Sequence, residues 1–225
     1  MKILRDFFEN VYRKFKHSSI NITNPIWGYV DLGLPSGTLW AKMNVGAKNE
    51  EDGGLHYSWG DIVGFTASQV GKEFGKKKFS SSEYMYRSKK YAGMHYVNNA
   101  LEKLEKDDDV AYVESNGQYR MPTREQFDEL LEYTHKKWDY DRNGCLLISN
   151  VNGNSIFFPT NGSYYNSKVL GAETSGNYWS STLFASKRNN YRNEDMSYTL
   201  GFNNKKICVT LYSRYSGRSV RGVIS

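Results

Sequence analysis

The chain is poor in the residues that usually announce chemistry. Of its 225 residues only two are cysteine, Cys145 and Cys208, far apart and in no metal or redox spacing. They read as reduced and partly buried, with a disulfide between them left open. Histidine is almost as scarce: His17, His56, His95 and His135 form no ligand pair at helical or strand spacing, and each reads as a surface residue. No Gly-x-Ser-x-Gly nucleophile turn and no phosphate-cradling glycine loop occurs. These absences predict a protein that is not an enzyme and has no cofactor or metal. Long apolar runs are also missing, since none approaches the roughly 18 residues of a membrane span. Arg5, Asp6, Glu9, Arg13 and Lys14 interrupt the stretch where a signal peptide would have its apolar core. The expectation is therefore no membrane span and no classical secretion signal, which favours a phage-borne or cytoplasmically made particle protein over a secreted lipoprotein; a phage particle or the cell surface is the location considered.

What is present points to a turn-rich globular chain. Twenty glycines stand against 4 prolines, and 39% hydrophobic with 15% aromatic content supports a packed core. The formal charge of +6 is spread among acids except at Lys76-Lys77-Lys78 and Lys89-Lys90, a poor match to a nucleic-acid surface. Asp107-Asp108-Asp109 is an acidic run, but neighbouring side chains diverge along a strand and cannot all converge on one ion. A solvated turn is expected there.

The periodicity divides the chain into an N-terminal amphipathic helix with its linker, residues 1–24, and a domain over 25–225. Ile3, Leu4, Phe7, Phe8, Val11, Tyr12 and Phe15 fall at helical spacing, and Asn24-Pro25 blocks continuation. This helix packs on its own domain or docks a partner. Tyr29–Leu32 and Thr38–Ala41 read as strands around a Gly-Leu-Pro-Ser-Gly turn. About fifty residues of weak periodicity follow, with one short helix expected over Asn98–Lys106, carrying Leu101 and Leu104. Thr123 and Gln126 have capping-box spacing before the apolar stripe Phe127, Leu130, Leu131, which predicts a helix ending near Thr134. Two hairpins are expected afterwards. One joins Leu146–Ile148 to Ser155–Pro159, the other Tyr198–Phe202 to Ile207–Tyr212, with a last strand over Arg218–Ile224. The fold class is α+β. Core candidates are Trp40, Trp59, Phe127, Leu130, Leu131, Ile156, Phe158, Trp179, Leu200, Phe202 and Val220.

Between Asn177 and Gly217 the chain is written mostly in Asn, Tyr, Ser, Arg and Lys, an alphabet like that of antibody paratopes. Alternation over Ile207–Tyr212 places Ile207, Val209 and Leu211 on one face and Cys208, Thr210 and Tyr212 on the other. Periodicity alone leaves open which face is solvated.

Several ordered motifs resemble a known family. Val30-Asp31-Leu32-Gly33-Leu34-Pro35-Ser36-Gly37-Thr38-Leu39-Trp40-Ala41, Asn44-Val45-Gly46-Ala47, Tyr57-Ser58-Trp59-Gly60, Arg120-Met121-Pro122-Thr123, Tyr178-Trp179-Ser180-Ser181 and Ser219-Val220-Arg221 are similar, in this order, to the bacterial major-paralogous domain. The match spans about residues 28–223. The resemblance implies a C-type-lectin-like fold with antiparallel hairpins, one or two helices and long loops. It also implies kinship with the variable proteins of diversity-generating retroelements, whose C-terminal segment is diversified at adenines on a ligand-binding face. Non-diversified members share the composition too. On this pattern Thr210 and Tyr212 face outward, and Arg218 and Arg221 belong to the scaffold. The chain lacks the Glu-Pro-Asn, Gln-Pro-Asp and Trp-Asn-Asp tripeptides of calcium-dependent sugar-binding lectins.

The expected function is binding of a protein or glycan ligand on a bacterial surface, with receptor recognition as the role. The alternative is a structural or assembly module of a phage particle or cell-surface complex, using the N-terminal helix as its contact. The loop Leu183–Ser197 has no apolar rhythm and carries Phe184, Lys187, Arg188, Asn189, Asn190, Tyr191 and Arg192. Together with Thr210, Tyr212, Arg214, Tyr215 and Ser216 it is expected to line one patch, because exposed Tyr and Arg are frequent interface anchors. An ordinary solvated loop and strand edge is the competing reading. The expected contacts narrow to Leu183–Arg192 and Thr210–Ser216.

Overall fold

The computed structural model describes residues 25–73, 75–84, 103–184 and 196–225. The expected helix of residues 1–16, the residues Leu101, His17 and His95, and the span Lys187–Arg192 lie outside the described residues.

Short strands joined by turns dominate what is described. β1 (Tyr29–Asp31) and β2 (Leu39–Asn44) form the first hairpin. The helices are α1 (Val110–Glu114) and α2 (Arg124–Tyr133). They precede β3 (Thr134–Asp139), β4 (Gly144–Ser149), β5 (Ser155–Pro159), β6 (Ser163–Tyr165) and β7 (Lys168–Leu170). The last four strands are β8 (Ser175–Leu183), β9 (Met196–Asn203), β10 (Ile207–Ser213) and β11 (Arg221–Ile224). Their sheet orders are β1-β2-β11, β3-β4-β5, β10-β9-β8 and the pair β6-β7, all antiparallel. The architecture is thus mainly antiparallel β with few helices.

The local signals explain these elements. The Thr123 hydroxyl accepts from the Gln126 amide at 3.3 Å, and the Gln126 side chain returns to the Thr123 amide at 2.9 Å. That reciprocal cap starts α2, whose Phe127 and Leu130 are fully buried. The helix stops where the Thr134 hydroxyl donates to the Leu130 carbonyl at 2.6 Å, and β3 begins at that same residue. In the β4–β5 turn Gly153 takes φ 78°, which a side chain disfavours. The flanking Asn152 and Asn154 amides both donate to the Asp31 carbonyl, at 3.0 and 2.8 Å, and tie this turn to β1.

Two apolar clusters form the interior. One gathers Trp40, Phe127, Phe158, Tyr178, Leu200 and Phe202, and the other Tyr57, Trp59, Tyr119, Trp179 and Val220. All of the core candidates are buried except Leu131, which lies at the rim. Each such side chain taken from water contributes about 1.5–3 kcal/mol.

Three expectations are corrected. Asp107–Asp109 is not a solvated turn: Asp108 and Asp109 are buried, and Asp109 is the N-cap of α1, accepting from the Tyr112 amide at 3.1 Å and from Met121 at 3.0 Å. An acid run can serve as a cap because a helix start supplies free amides that point at it. Of the helix expected over Asn98–Lys106, residues 98–102 lie outside the described residues, and Lys103–Glu105 is not helical. There the Leu104 amide donates to the Ser181 carbonyl at 2.9 Å, pairing the segment with β8, and a 3-10 turn covers Lys106–Asp108. Finally, His56 is buried rather than on the surface.

Candidate functional site

The β10-β9-β8 sheet presents two different faces. Ile207 and Val209 pack against the core cluster of Leu200 and Phe202, so alternation turns Cys208, Thr210 and Tyr212 to the opposite face. On that face the register aligns Asn177, Gly201 and Cys208 across the three strands, with Thr199 beside Thr210. Gly201 leaves the middle of this row without a side chain. An added Cβ there would meet nothing nearer than 3.6 Å, so the row has an open floor. Gly176 has the opposite reason: a Cβ would fall 2.1 Å from the Phe202 ring, which needs that space to stack on Tyr178.

The β6–β7 hairpin supplies a wall through Ser163 and Leu170, and the result is an open groove of about 310 Å³. Asn203, Lys206, Cys208, Thr210 and Tyr212 complete its lining from the β9–β10 side. Leu170 is 54% exposed and Tyr212 43%, so large apolar surface stands at the rim rather than inside. The hairpin adds exposed Tyr165 and Val169.

A buried polar network holds the groove from behind. The Asn161 side chain donates to Ser219 Oγ and accepts from the Asn177 amide at 3.4 Å. The Asn161 carbonyl lies 3.0 Å from His56 Nε2, and the His56 ring meets Tyr164 edge-on at 4.7 Å. That contact assigns the proton to Nε2, since only a ring N–H can donate to a carbonyl. Burial, with help from the nearby Arg218 charge, pushes the His56 pKa down to about 4. The imidazole is neutral at ordinary pH.

Arg218 lies next to this network. Its Nη1 donates to Asn177 Oδ1 at 2.7 Å, and its guanidinium is 3.7 Å from the centre of the Tyr212 ring and 5.2 Å from that of Trp179. Burial lowers its pKa to about 10, so it stays charged. Arg221 is held more fully. It donates to Asn44 Oδ1 and to the carbonyls of Ala41, Lys42 and Phe157, all within 3.0 Å.

The structure divides the residues expected at the site. Thr210 and Tyr212 line the groove. Tyr215 stands beside it, its hydroxyl 3.2 Å from that of Tyr165. Leu183, Arg214 and Ser216 are corrected from surface to interior, at 7%, 2% and 4% exposure. Leu183 joins the apolar cluster around Trp59, and the Arg214 guanidinium covers the Trp59 ring at 4.9 Å while its Nε donates to the Met196 carbonyl. The Ser216 amide closes a turn onto the Ser213 carbonyl. Phe184 packs its ring on Tyr198, which Arg124 of α2 also covers. Tyr198 pairs with Leu211, so this contact is on the helix side of the sheet, away from Tyr212. Lys187, Arg188, Asn189, Asn190, Tyr191 and Arg192 lie outside the described residues.

Asn177, Leu170, Lys206 and the β6–β7 hairpin are groove elements that the sequence patterns do not single out. A signal for the hairpin was present, because Ser163-Tyr164-Tyr165-Asn166 uses the same Tyr/Ser/Asn alphabet. Cys208 was already on the face shared with Thr210 and Tyr212. Among the described residues, no three His, Cys, Asp or Glu side chains converge as a metal site would require. Both cysteines are free, and burial pushes the Cys145 thiol up to about 12. Comparison of the chain with family models, with curated proteins and with solved structures gives no match.

Proposed function

We propose that the chain is a non-enzymatic ligand-binding protein whose binding face is the groove on the outer side of β8, β9 and β10. The supporting observation is the contrast between that face and its surroundings. A side-chain-free floor at Gly201, hydrogen-bonding groups at Asn177 and Thr210 and an exposed ring at Tyr212 sit on a sheet whose other face packs against an apolar cluster. Concave sites of this kind, with a few polar groups on a rigid frame, suit a small epitope or a glycan. The motif order supports a C-type-lectin-like fold of the bacterial major-paralogous type. The paratope-like alphabet supports a variable protein of a diversity-generating retroelement, recognising a protein or glycan on a bacterial surface.

The experiment is capture of bacterial cells and of an immobilised glycan panel by the full chain, by Tyr212→Ala and by Tyr140→Ala. Tyr140 is 79% exposed and does not line the groove, so it controls for loss of any surface tyrosine. Capture lost in Tyr212→Ala and kept in Tyr140→Ala is the expected result. Unchanged capture by a folded Tyr212→Ala protein removes the groove from the reading.

A further inference from the structure

Two arginines lie three residues apart in the interior, and the fold treats them differently. Arg221 reaches four protein oxygens and is saturated in ordinary terms. The Arg218 guanidinium is held by Asn177 Oδ1 and by the Tyr212 side chain, both neutral, and its buried Nε has no partner. Among the described residues no carboxylate lies within ion-pair distance of Arg218. Its other neighbours are ring faces, which attract a cation but do not neutralise it. A desolvated positive charge is costly to hold, and its field reaches farther than that of a solvated one.

Side chains that contact the guanidinium connect it to the groove. Asn177 and Tyr212, which hold the guanidinium, both line the groove. Lys206 adds a second cation to that lining, and no acid belongs to it. The remaining surface mixes amides and hydroxyls with the apolar sides of Leu170 and Phe202. Such a mixture fits a ring with polar edges and apolar faces. We propose that the groove binds a sugar bearing a carboxylate, a uronic-acid type of ligand, whose anion supplies the counter-charge that Arg218 and Lys206 lack. The sugar hydroxyls would be met by Thr210 and Asn203, and the ring by Leu170. This inference rests on the reading of the groove as a ligand site.

The test compares methyl glucuronide with methyl glucoside, titrated into the full chain by calorimetry or ligand-observed NMR at low and high salt. The glucuronide is expected to bind at least about tenfold more tightly than its neutral twin, the gain of one charge-assisted contact. That advantage shrinks as salt screens it. Lys206→Gln, on an exposed turn, is expected to weaken the glucuronide more than the glucoside and so to narrow the ratio between them. Arg218→Gln is the sharper variant; where it fails to fold, Lys206→Gln and the salt series decide. Equal binding of the two sugars overturns the anionic class and leaves the groove standing as a ligand site. Acetate competing as well as the glucuronide reduces the effect to a simple counter-ion and overturns the sugar. Binding of neither sugar also overturns the proposal. In that case cell capture that still depends on Tyr212 preserves the groove, and capture that does not removes both readings.

Discussion

Arg221 Nε donates to Asn44 Oδ1 at 2.7 Å, deep in the protein, and so joins the last described strand to the second. The same guanidinium satisfies the carbonyls of Ala41, Lys42 and Phe157. Arg221→Met is expected to leave these acceptors unpaired in the dark of the core and to cost about 3–5 kcal/mol. Arg221→Lys should recover only part of this, because one ammonium cannot reproduce the planar fork. Urea denaturation of both variants checks it, and a loss under 1 kcal/mol in Arg221→Met would contradict the role.

Opposed titrations govern the response to mild acid. His56 takes its proton near pH 6.5 in the unfolded chain but only near 4 in the fold. As pH falls through that interval the unfolded state binds the extra proton, and stability drops by about 3 kcal/mol in all. Asp109 is held up near 6 by burial against an ordinary 3.8. From pH 6 down to 3.8 the folded state takes that proton first, and stability rises by a similar amount, about 3 kcal/mol. The two contributions offset each other between about pH 6 and 4. His56→Gln should therefore reveal stability that climbs on acidification, and Asp109→Asn stability that falls. Urea midpoints measured from pH 4 to 7 decide the matter; parallel curves for the two variants would sink the assignment.

Gly176 and Gly201 lie one residue apart in register across β8 and β9, and they predict opposite phenotypes. Gly176→Ala forces a methyl into the Phe202 ring and is expected to destabilise by about 1–3 kcal/mol. Gly201→Ala has room and should leave stability within about 0.5 kcal/mol. It raises the groove floor, however, so ligand capture should suffer while the melting temperature does not. Loss of both properties in Gly201→Ala would show that the floor is structural.

The thiols should separate cleanly in a native-state titration with a disulfide reagent. Cys145 is fully buried with its pKa pushed up to about 12, so little thiolate forms. Cys208 lines the groove and is partly exposed. One equivalent is expected to react without denaturant and the second only after unfolding. Prompt reaction of both would contradict the packing around Cys145.

Pattern carried the elements more reliably than it carried the site. The capping box at Thr123 and Gln126, the β9–β10 hairpin and most of the core were legible because each follows from spacing within a few residues. Burial of Arg214 and Ser216 was not, because polarity reports solvent preference and not where the chain turns; apolar Leu183 was grouped with the polar loop that follows it, although it ends β8. Arg214 is interior because the Trp59 ring and the Met196 carbonyl wait for it, and both lie far away in sequence. Asp109 misled in the same way, since its amide partners at Met121 and Tyr112 appear only once the turn between them has folded. Cys208, Thr210 and Tyr212 were grouped correctly by alternation, yet the hairpin wall opposite them depends on a tertiary contact that no period encodes.

The pairing of β11 with β2 has a consequence for how the chain reaches this state. Arg221 and Ala41 stand 180 positions apart, and nearly every described strand and helix lies on the span between them. A ribosome must release almost all of that span before the sheet can shut. Until then Trp40 and Phe158 lack the guanidinium that seals their cluster. Closing so distant a contact late makes folding slow and leaves apolar surface waiting.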